Sequence, residues 1–499
     1  MIKTLPDATS AATWLRNMGC QHLRCDNRRV RSGDGFLAWP GAQVDARRFV
    51  MNAIDQGANA ALVEAKHPQA EWPAHGAQDL IAALPDLKAQ AGDVAHAFYG
   101  QPSHHLSVVA FTGTNGKTSS AWWLAQAMEN LGRPCGLMGT LGVGRLGQLD
   151  TTGLTTPQAV DVHDALATMR ETGVHACALE ASSIGIVEHR LQGVRIEVAV
   201  FTNLSLDHLD YHRDMAHYWA AKRALFDWPD LRAAVINIDD AHGLALAQEL
   251  SAPIDVWSVG THAAARLQAL DIAPHAQGLS FTVRETGDAR LHPVRSTLIG
   301  HYNVLNLLGV IASLRALGIA LADAVAACEG LSAVPGRLQR VGAGAEQPLV
   351  LVDYAHTPDA VAQVLQALRP LAQARAGQLW TVLGCGGDRD PSKRAPMAAA
   401  AEAGADRLVL TSDNPRFEEP QAILEAMMCG LSRPAFAVHA DRGQAIALAV
   451  SQASSRDVVL IAGKGHEDYQ EVQGKRLPFS DHDIALAALQ VRATQERAP

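Results

Sequence analysis

The sequence has little of what marks membrane, secreted and nucleic-acid-binding proteins. It holds no run of about 18 apolar residues, and its first residues lack the basic region and apolar core of a secretion signal. The seven cysteines are odd in number and form no C-x-x-C pair, so neither a disulfide framework nor a zinc site is predicted. The formal net charge of −9 gives no reason to expect nucleic acid. We expect a cytoplasmic monomer that binds neither nucleic acid nor a membrane.

Length and composition predict a globular chain with several cores. With 499 residues, of which 48% are hydrophobic and 19% charged, the chain has room for about two to four domains. Beyond residue 105, strand and helix patterns alternate, which predicts an α/β fold with a mostly parallel sheet covered on both faces. Before that point, a strand at 60–63 and a helix near 83–98 are predicted.

A phosphate loop is the clearest motif. Residues 106–119, LSVVAFTGTNGKTS, form an apolar run that ends in a glycine-punctuated turn before an amphipathic helical pattern. The first glycine of the usual loop is missing, because a phenylalanine stands there, which leaves the shorter form G-x-x-G-K-T. Gly113 and Gly116 would let backbone N–H groups surround a phosphate, Lys117 supplies a positive charge, and Thr118 offers a hydroxyl to Mg²⁺. A plain strand-to-helix connection is the alternative interpretation.

Two polar side chains beyond this loop are candidate metal ligands. Glu180 follows the strand-like run 174–179, and His208 follows the run 197–201. A carboxylate and an imidazole at neighbouring strand ends, beside a phosphate loop, suit Mg²⁺. The alternatives are that Glu180 caps a helix and that His208 is an ordinary surface histidine. Lys222 falls in a predicted helix and by itself indicates only a solvated helix face.

Polar loops near both ends of the chain are candidate ligand sites. In the last third, the loops at 384–389, 413–416 and 463–467 each follow a strand-like run, as ligand loops of α/β sheets do. Packing alone is the alternative for these loops. Near the other end, Asn27 and Gln43 lie in predicted turns and could bind a ligand, with a solvated surface as the alternative.

Five motifs, in this order, resemble the Mur ligases of bacterial cell-wall synthesis: GTNGKTS, LTTPQ, LEASS, FTNLSLDHLDYH and AKRALF. The resemblance extends over nearly the whole chain and implies three domains. Residues 1–105 would hold the UDP end of the substrate, and residues 106–336 would form the central ATP-binding domain. Residues 337–499 would form a Rossmann-like domain that brings the amino acid.

The resemblance also implies which residues form the sites. The catalytic residues would be Lys117, Glu180, His208 and Lys222. The ATP-binding residues would be Gly113, Thr114, Asn115, Gly116, Lys117, Thr118, Ser119, Asn303, Arg337 and Asp353. The residues that bind the UDP-muramoyl dipeptide would be Asn27, Ala42, Gln43, Val44, Thr155, Thr156, Ser182, Glu188 and Arg190. The residues that bind the amino acid would be Arg389, Asp413, Asn414, Pro415, Arg416, Gly463 and Glu467.

Two Mg²⁺ sites follow from the same resemblance. Thr118 and Glu180 would bind one ion, while His208 and Lys222 would bind the second. In the family the matching lysine is carried as a carbamate. This modification has a physical reason, because adding CO₂ to a neutral amine turns a cation that repels metal into an oxygen ligand.

The chain departs from the family pattern on the nucleotide-sugar side of the predicted site. Asn27 stands in the triplet Asp-Asn-Arg, where the family usually has Asp-Ser-Arg. Leu154 replaces a polar residue before the two threonines, and Ile184 replaces a histidine after the two serines. Glu188 stands where a glutamine is often found.

The expected activity is that of an ATP- and Mg²⁺-dependent amide-bond ligase. It would add meso-2,6-diaminopimelate to UDP-N-acetylmuramoyl-L-alanyl-D-glutamate through an acyl phosphate, a step of peptidoglycan synthesis on which cell shape and division depend. Diaminopimelate is expected because D-N-P-R at 413–416 resembles the members that add it, and arginine suits its distal carboxylate. Surface pairing of Arg416 with Glu418 or Glu419 is the alternative for this arginine.

Other functions remain open from the sequence. The same reaction could use L-lysine, or the chain could be a sibling Mur ligase or a folylpolyglutamate-type ligase. A phosphate-loop ATPase that works as a switch or motor is an alternative from another class. The absence of internal repeats and the presence of a small-ligand domain speak against that alternative.

Overall fold

A computed structural model of the chain describes residues 2–41, 44–66, 78–209, 211–275, 278–342, 344 and 346–495. These residues divide into two compact units. The first unit holds residues 1–204, 211–259 and 309–327, and the second holds residues 205–210, 260–308 and 328–499. Both contain mostly parallel sheets with helices, so the predicted α/β class is confirmed. Among the described residues, no helix is long and apolar enough to cross a membrane.

The first unit begins with a five-stranded parallel sheet. Its strands lie in the order Lys3–Thr4, Ile81–Leu84, Ala60–Glu64, Asp34–Ala38 and His22–Arg24. Successive side chains of a strand point to opposite faces, so Leu37 and Leu62 pack in one core cluster while Phe36 and Val63 pack in another. The helices of this part are Ala8–Asn17, Val50–Asp55 and Leu87–Phe98, with short 3₁₀ turns at Asn27–Arg29, Ala46–Phe49, Gln78–Leu80 and Pro102–His105.

The prediction of a helix near residues 83–98 was wrong at its start. Residues Ile81–Leu84 form a fully buried strand, and the helix begins only at Leu87. Asp86 has a left-handed backbone with φ of +53°, which separates the two elements. A four-residue apolar run has no periodicity that distinguishes a buried strand from a helix, so the sequence alone merged the two.

A larger sheet forms the rest of the first unit. Its strands lie in the order Asp255–Gly260, Ala233–Asn237, Val198–Phe201, Ser107–Thr112, Ala176–Glu180, Cys135–Gly139, Gly142–Arg145 and Gln148–Asp150. The first six run parallel, and the last two continue as antiparallel strands. The helices are Lys117–Asn130, Ala159–Glu171, Ser183–Val187, Met215–Arg223, Ala241–Glu249, Leu321–Ala327 and residues 309–316 of Tyr302–Ala316, with a 3₁₀ turn at Ala224–Asp227.

One buried histidine of the first unit couples folding to pH. His163 lies on the helix Ala159–Glu171, with its Nε2 2.9 Å from the main-chain oxygen of Gln192. The ring centroid of His96 is 5.4 Å away. Burial, reinforced by His96, lowers the pKa of His163 to about 4. The folded protein therefore keeps this ring neutral at pH values where the unfolded chain protonates it.

We expect the free energy of unfolding to fall as the pH falls from about 6.5 to about 4, because only the unfolded chain binds the proton in that window. Above about pH 6.5, His163 is neutral in both the folded and the unfolded state and does not reduce the free energy of unfolding. Between about pH 6.5 and about pH 4, the free energy of unfolding falls by on the order of 3 kcal/mol. Urea titrations should show less acid sensitivity for His163→Gln than for the unmutated protein. The exposed His105→Gln should keep the original sensitivity, and equal sensitivity of all three proteins would contradict the assignment.

The second unit is built on a six-stranded sheet. Its strands lie in the order Gln339–Val341, Leu349–Asp353, Val458–Ala462, Leu379–Cys385, Arg407–Ser412 and Ala437–His439, and only the first is antiparallel to its neighbour. Leu383 and Leu460 pack on one face, while Val382 and Val459 pack on the other. The helices are Pro358–Ala374, Arg394–Gly404, Pro420–Met428, Arg442–Gln452, Asp481–Gln495 and residues 302–308 of Tyr302–Ala316, with a 3₁₀ turn at Pro391–Lys393.

Two antiparallel elements complete the second unit. Three strands, Leu267–His275, Gly278–Glu285 and Leu291–Ser296, pair in sequence order. A hairpin of Tyr469–Val472 and Lys475–Pro478 follows the last strand of the large sheet. Three of the strand ends in that sheet carry the polar loops at 384–389, 413–416 and 463–467, as the sequence predicted.

Candidate active site

The phosphate loop connects a central strand of the larger sheet to the helix Lys117–Asn130. At Gly113, φ is +145°, and an added Cβ would lie 1.9 Å from Oγ1 of Thr202, so only glycine fits. Lys117 folds back over the loop, and its Nζ donates to the main-chain oxygens of Gly113 at 2.8 Å and Thr114 at 2.9 Å. Gly116 directly precedes the helix, whose N-terminal N–H groups favour an anion.

The loop is held from outside by two residues that sequence reasoning gave no role. Thr114 N donates to the main-chain oxygen of Asn203 at 2.8 Å, and Asn115 N donates to Asn203 Oδ1 at 2.9 Å. Thr202 Oγ1 donates to the main-chain oxygen of Asn115 at 2.6 Å. Thr202 and Asn203 lie inside the motif FTNLSLDHLDYH, so the sequence marks them as candidates. Their role in holding the phosphate loop could not be predicted, because it depends on contacts with residues far away in the chain.

The structure brings Thr118 and Glu180 together. Thr118 Oγ1 donates to Glu180 Oε2 at 2.8 Å, and the Glu180 side chain lies in the interior, with the residue 1% exposed. Thr140 supplies two further donors to the same carboxylate, its N at 2.8 Å and its hydroxyl at 3.2 Å. Gly139 leaves room for this carboxylate, since a Cβ there would lie 2.1 Å from Glu180 Oε1. Ser119 is buried in the same helical turn as Thr118.

Lys222 reaches the same loop from another helix. The residue is 1% exposed, and its Nζ donates to the main-chain oxygen of Gly113 at 2.8 Å. The ring of Tyr218 lies beneath this amine at 4.2 Å, and the Tyr218 hydroxyl is 3.2 Å from Oγ1 of Thr114. Lys117 and Lys222 therefore converge on one carbonyl, which contradicts the interpretation of Lys222 as a solvated helix face.

The oxygen atoms of this group suit a hard cation. Thr118 and Thr140 present hydroxyls and Glu180 a carboxylate, and oxygen ligands are those that Mg²⁺ prefers. In the part of the chain that the structure describes, no three His, Cys, Asp or Glu side chains cluster as a metal site. The predicted ligand set does not require such a cluster, because it draws on a threonine hydroxyl and a modified lysine.

His208 belongs to the second unit, in the segment 205–210, and has a left-handed backbone with φ of +54°. Its Nε2 lies 3.5 Å from Asp207 Oδ2, and Lys393 Nζ lies 2.9 Å from Asp207 Oδ1. Burial alone would raise the pKa of Asp207, but the charges of His208, His356 and Lys393 outweigh it and hold that pKa well below its usual range. Asp207 thus stays ionised beside the histidine.

A second group of predicted residues adjoins Glu180. Thr155 Oγ1 lies 3.1 Å from Thr140 Oγ1. Thr156 Oγ1 donates to the main-chain oxygen of Glu180 at 2.7 Å and lies 2.9 Å from Ser182 Oγ, which caps the helix Ser183–Val187. These hydroxyls form a continuous polar strip beside the phosphate loop.

Arg190 extends this strip. Its Nη1 donates to the main-chain oxygen of Thr156 at 3.0 Å, while its buried Nε has no hydrogen-bond partner among the described residues. Burial lowers the pKa of Arg190, and the Glu188 carboxylate opposes that shift. Glu188 itself pairs with Lys88 at 2.6 Å and accepts from the Tyr211 hydroxyl at 2.6 Å.

The residues predicted to hold the uridine are less completely described. Asn27 Nδ2 donates to Asn52 Oδ1 at 2.9 Å, in an exposed hydrogen bond. Val44 is 49% exposed. Ala42 and Gln43 lie outside the described residues.

In the second unit, the three residues predicted to contact the nucleotide, Asn303, Arg337 and Asp353, each contact neighbouring protein groups. Asn303 is buried, and its Nδ2 donates to the main-chain oxygen of Ile299 at 2.7 Å. Asp353 accepts from the N–H groups of Leu338 at 2.7 Å and Ala355 at 2.8 Å. Burial raises the pKa of Asp353, although the neighbouring arginine at 337 opposes the shift.

Arg337 stands beside two aromatic rings. Its guanidinium lies 4.7 Å from the centroid of the Tyr354 ring, which lies 5.4 Å from that of His466. Burial, with the positive charge of Arg337, lowers the pKa of His466 to about 4. A neutral, aromatic surface therefore faces this guanidinium.

The loops at 413–416 and 463–467 are joined by a buried lysine. Lys464 Nζ is fully buried and donates to Asn414 Oδ1 at 3.0 Å and to Glu467 Oε2 at 2.8 Å. Asn414 Nδ2 donates to the same Glu467 oxygen at 2.8 Å. Asp413 Oδ1 accepts from the N–H of Asn414 at 2.7 Å, and an added Cβ on Gly463 would lie 2.7 Å from Asp413 Oδ2. The structure thus brings the predicted members of these two loops together.

Arg416 is held by the hairpin and by the loop at 384–389. Its backbone is left-handed, with φ of +53°, and its N donates to the main-chain oxygen of Glu471 at 2.9 Å. Its Nη1 donates to the main-chain oxygen of Gly387 at 2.7 Å, and its Nε lies 3.7 Å from the Glu471 carboxylate. Arg389 is exposed at the edge of this loop.

The alternative pairing of Arg416 with Glu418 is not observed. Glu418 instead accepts from Arg394 Nη2 at 2.7 and 2.9 Å and from the N–H of Asp388 at 2.6 Å. The main-chain oxygen of Pro415 accepts from the N–H of Glu418 at 3.0 Å, which closes the turn after Pro415.

A buried ion pair beneath these loops was not predicted. Arg442 donates to both oxygens of Asp481, each at 2.7 Å, and both side chains are fully buried. Arg442 also donates to the main-chain oxygens of Ser412 at 3.2 Å and Ala462 at 3.0 Å, the residues that precede the two loops. It therefore ties together the ends of two strands.

A phosphate loop with a buried threonine–glutamate pair, and a parallel sheet that ends in polar loops, define a nucleotide-dependent enzyme with a small-ligand site. Residues 111–314 match the model of the Mur ligase middle domain. Residues 336–465 match the model of the Mur ligase, glutamate ligase domain. The chain belongs to the Mur ligase family, which confirms the resemblance found in its motifs.

Several proteins are similar to this chain over nearly its full length. A UDP-N-acetylmuramoyl-L-alanyl-D-glutamate–2,6-diaminopimelate ligase from Acidovorax sp. (strain JS42) is 52% identical, with 98% of each chain covered. A ligase of the same name from Janthinobacterium sp. (strain Marseille) is 47% identical, with 99% of each covered. A solved structure of a ligase of this name aligns with a TM-score of 0.65 at 35% identity, covering 95% of each chain.

Proposed function

We propose that this chain is the ATP-dependent ligase that joins meso-2,6-diaminopimelate to UDP-N-acetylmuramoyl-L-alanyl-D-glutamate in peptidoglycan precursor synthesis. The observation that carries the proposal is that the loop with Arg416 and the loop with Glu467 are in contact in the second unit. Asn414, two residues before Arg416, donates a hydrogen bond to Glu467. Diaminopimelate carries both a carboxylate and an ammonium at its distal centre, and the two loops offer one partner for each. The names of the 52% and 47% identical relatives agree with this choice.

ATP is needed because a carboxylate is a poor acceptor for an amine. A carboxylate oxygen of the dipeptide substrate attacks the γ-phosphorus, the bond to the β-phosphate oxygen breaks, and ADP leaves. The amine nitrogen of the amino acid then attacks the acyl carbon, the carbon–oxygen bond to phosphate breaks, and the amine loses a proton. The products are the amide, ADP and phosphate.

In this assignment the loop residues stabilise the phosphoryl group as it is transferred. The N-terminal end of the helix Lys117–Asn130, with Gly116 before it, would face the phosphates. Lys117 would turn from the loop carbonyls to a phosphate oxygen. Mg²⁺, when bound, would neutralise negative charge on the phosphates. Thr118 and Glu180 would hold one ion, consistent with their buried oxygen atoms.

The remaining site assignments follow the family pattern. His208 and a carbamylated Lys222 would hold a second ion, and Asn303, Arg337 and Asp353 would contact the nucleotide. The muramoyl dipeptide would lie along Thr155, Thr156, Ser182, Glu188 and Arg190, with Asn27, Ala42, Gln43 and Val44 nearer the uridine. We propose that these roles fall in three domains, residues 1–105, 106–336 and 337–499, and that the protein acts as a monomer in the cytoplasm.

ADP release in the presence of the UDP-muramoyl dipeptide and a panel of amino acids tests the proposal. We expect a high kcat/KM for meso-diaminopimelate and a much lower one for L-lysine, which lacks the distal carboxylate. Product mass confirms that the amide has formed. Comparable kcat/KM values for the two amino acids would contradict the assignment of diaminopimelate.

Arg416→Ala should raise the KM for meso-diaminopimelate by about tenfold to a hundredfold, because a charge-assisted hydrogen bond contributes about 1.5 to 3 kcal/mol. The KM values for ATP and the dipeptide should change little, and the preference over L-lysine should shrink. Arg416→Lys should recover only part of the loss, since an ammonium cannot bind a carboxylate with two prongs.

Arg433→Ala is the matched control, because Arg433 is an exposed arginine of the same unit that pairs with Glu402. Its kinetic constants should equal those of the unmutated enzyme. An unchanged KM for meso-diaminopimelate in Arg416→Ala would remove Arg416 from the site.

A further inference from the structure

The feature that carries a further inference is a charged triad beside the proposed muramoyl site. Glu188 is a carboxylate two residues before Arg190, within electrostatic reach of its guanidinium. The predicted substrate is anionic, since it carries carboxylates and a diphosphate. An unneutralised carboxylate here would repel the substrate and compete with it for Arg190.

Both oxygens of Glu188 are engaged by other groups. Lys88 Nζ lies 2.6 Å from Oε2, and the Tyr211 hydroxyl donates to Oε1 at 2.6 Å. Burial alone would raise the pKa of Glu188, but Lys88 and Tyr211 outweigh it and lower that pKa, so the group stays ionised. The charge at position 188 is therefore present and is balanced by Lys88.

Arg190, by contrast, has donor capacity left for a ligand. Its Nη1 is bonded to the main-chain oxygen of Thr156, and its Nε lacks a hydrogen-bond partner among the described residues. The guanidinium carries five N–H donors, so one intramolecular bond leaves most of them unused. Holding Glu188 on Lys88 and Tyr211 keeps these donors available.

Lys88 is contributed by a different part of the first unit. It stands in the first turn of the helix Leu87–Phe98, which packs against the first, five-stranded sheet. Glu188 directly follows the helix Ser183–Val187 beside the larger sheet. The ion pair therefore connects the proposed uridine-binding part to the proposed muramoyl site.

We propose that Lys88 is a positioning residue for the UDP-muramoyl dipeptide, and that it acts by holding and neutralising the Glu188 carboxylate rather than by touching the substrate. The proposal rests on the proposed function. It assigns to Lys88 a role that depends on the residue at position 188, so removing the carboxylate should remove the need for the lysine.

A double-mutant cycle tests this dependence, with four proteins: the unmutated enzyme, Lys88→Ala, Glu188→Gln and the double variant. The dissociation constant of the UDP-muramoyl dipeptide is measured by calorimetry without ATP or amino acid, and KM values are measured by ADP release. Lys88→Ala should weaken dipeptide binding by about tenfold, the effect of one uncompensated charge in a half-buried site. The KM values for ATP and meso-diaminopimelate should stay within about twofold.

In the Glu188→Gln background, adding Lys88→Ala should leave dipeptide binding unchanged, because a neutral amide needs no counter-ion. Lys88→Arg should restore binding in the original background. Raised ionic strength should reduce the penalty of Lys88→Ala, since salt screens the partly exposed charge of Glu188. A purely structural role for Lys88 would lower the melting temperature without this salt dependence.

Two results would overturn the inference. If Lys88→Ala binds the dipeptide as tightly as the unmutated enzyme, Lys88 has no role in binding. If Lys88→Ala weakens dipeptide binding equally in the unmutated and the Glu188→Gln enzymes, Lys88 contacts the substrate directly and does not act through Glu188. Failure of the proposed function gives a different result, because the unmutated enzyme would then release no ADP with the dipeptide and meso-diaminopimelate.

Discussion

Lys117→Ala should reduce kcat by on the order of a hundredfold to a thousandfold, because the ammonium is needed where charge develops on the transferring phosphoryl group. The Lys117 amine donates to the loop carbonyls of Gly113 and Thr114, so it lies over the phosphate loop and not in an apolar core. The loss should therefore appear in the chemical step, measured by ADP release at saturating substrates, while the melting temperature changes little.

Lys3→Ala is the matched control, since Lys3 is an exposed lysine on the edge strand of the first sheet. Its kcat should equal that of the unmutated enzyme. If Lys117→Ala turned over at a tenth of the original rate or more, Lys117 would not act on the phosphoryl group.

Lys222→Ala should lose most of the activity as well, for a different reason. If Lys222 carries a carbamate, its removal takes away an anionic oxygen ligand of the second ion, and added acetate should restore part of the rate by filling the gap. The side chain is enclosed between the Gly113 carbonyl and the Tyr218 ring, so a small carboxylate is the size of group that the vacated space admits.

Lys222→Arg separates the carbamate role from a plain cationic role. An arginine can still donate to a carbonyl oxygen but cannot form a carbamate, so we expect this variant to be as inactive as Lys222→Ala. Activity near the original level in Lys222→Arg, or full activity of Lys222→Ala without acetate, would rule out the carbamate. An intact-protein mass without the added CO₂ in the ligand-bound enzyme would weaken it.

The parts of the site that could be predicted from the sequence are those in which a single short segment supplies all the residues. The phosphate loop and the three strand-end loops have local signatures, because glycine permits tight turns, proline restricts the backbone, and the polar residue lies in the same short segment. The strand Val458–Ala462 was similarly found from its apolar run and the polar loop that follows it. The three antiparallel strands between residues 267 and 296 had no such marker and were not predicted.

The parts that sequence reasoning missed depend on partners far apart in the chain. Thr140 lies 40 residues from Glu180, and Asn203 lies 88 residues from Asn115. Arg442 and Asp481 are indistinguishable in the sequence from surface charges, because only the fold shows that they pair inside the protein. Lys464 lies inside the predicted loop at 463–467, but its bond to Asn414 depends on two loops that meet only in the folded protein.

The left-handed backbone of Arg416 has a consequence for how amino-acid choice can change during evolution. The conformation is fixed by main-chain bonds to the hairpin, since Arg416 N donates to the oxygen of Glu471 and Gln473 N donates to the oxygen of Arg416. A β-branched residue at this position would meet a conformational cost of about 1 to 2 kcal/mol, whereas glycine or asparagine would meet little. A change of amino-acid preference that places a β-branched residue at position 416 would therefore lose stability unless the loop and the hairpin change together.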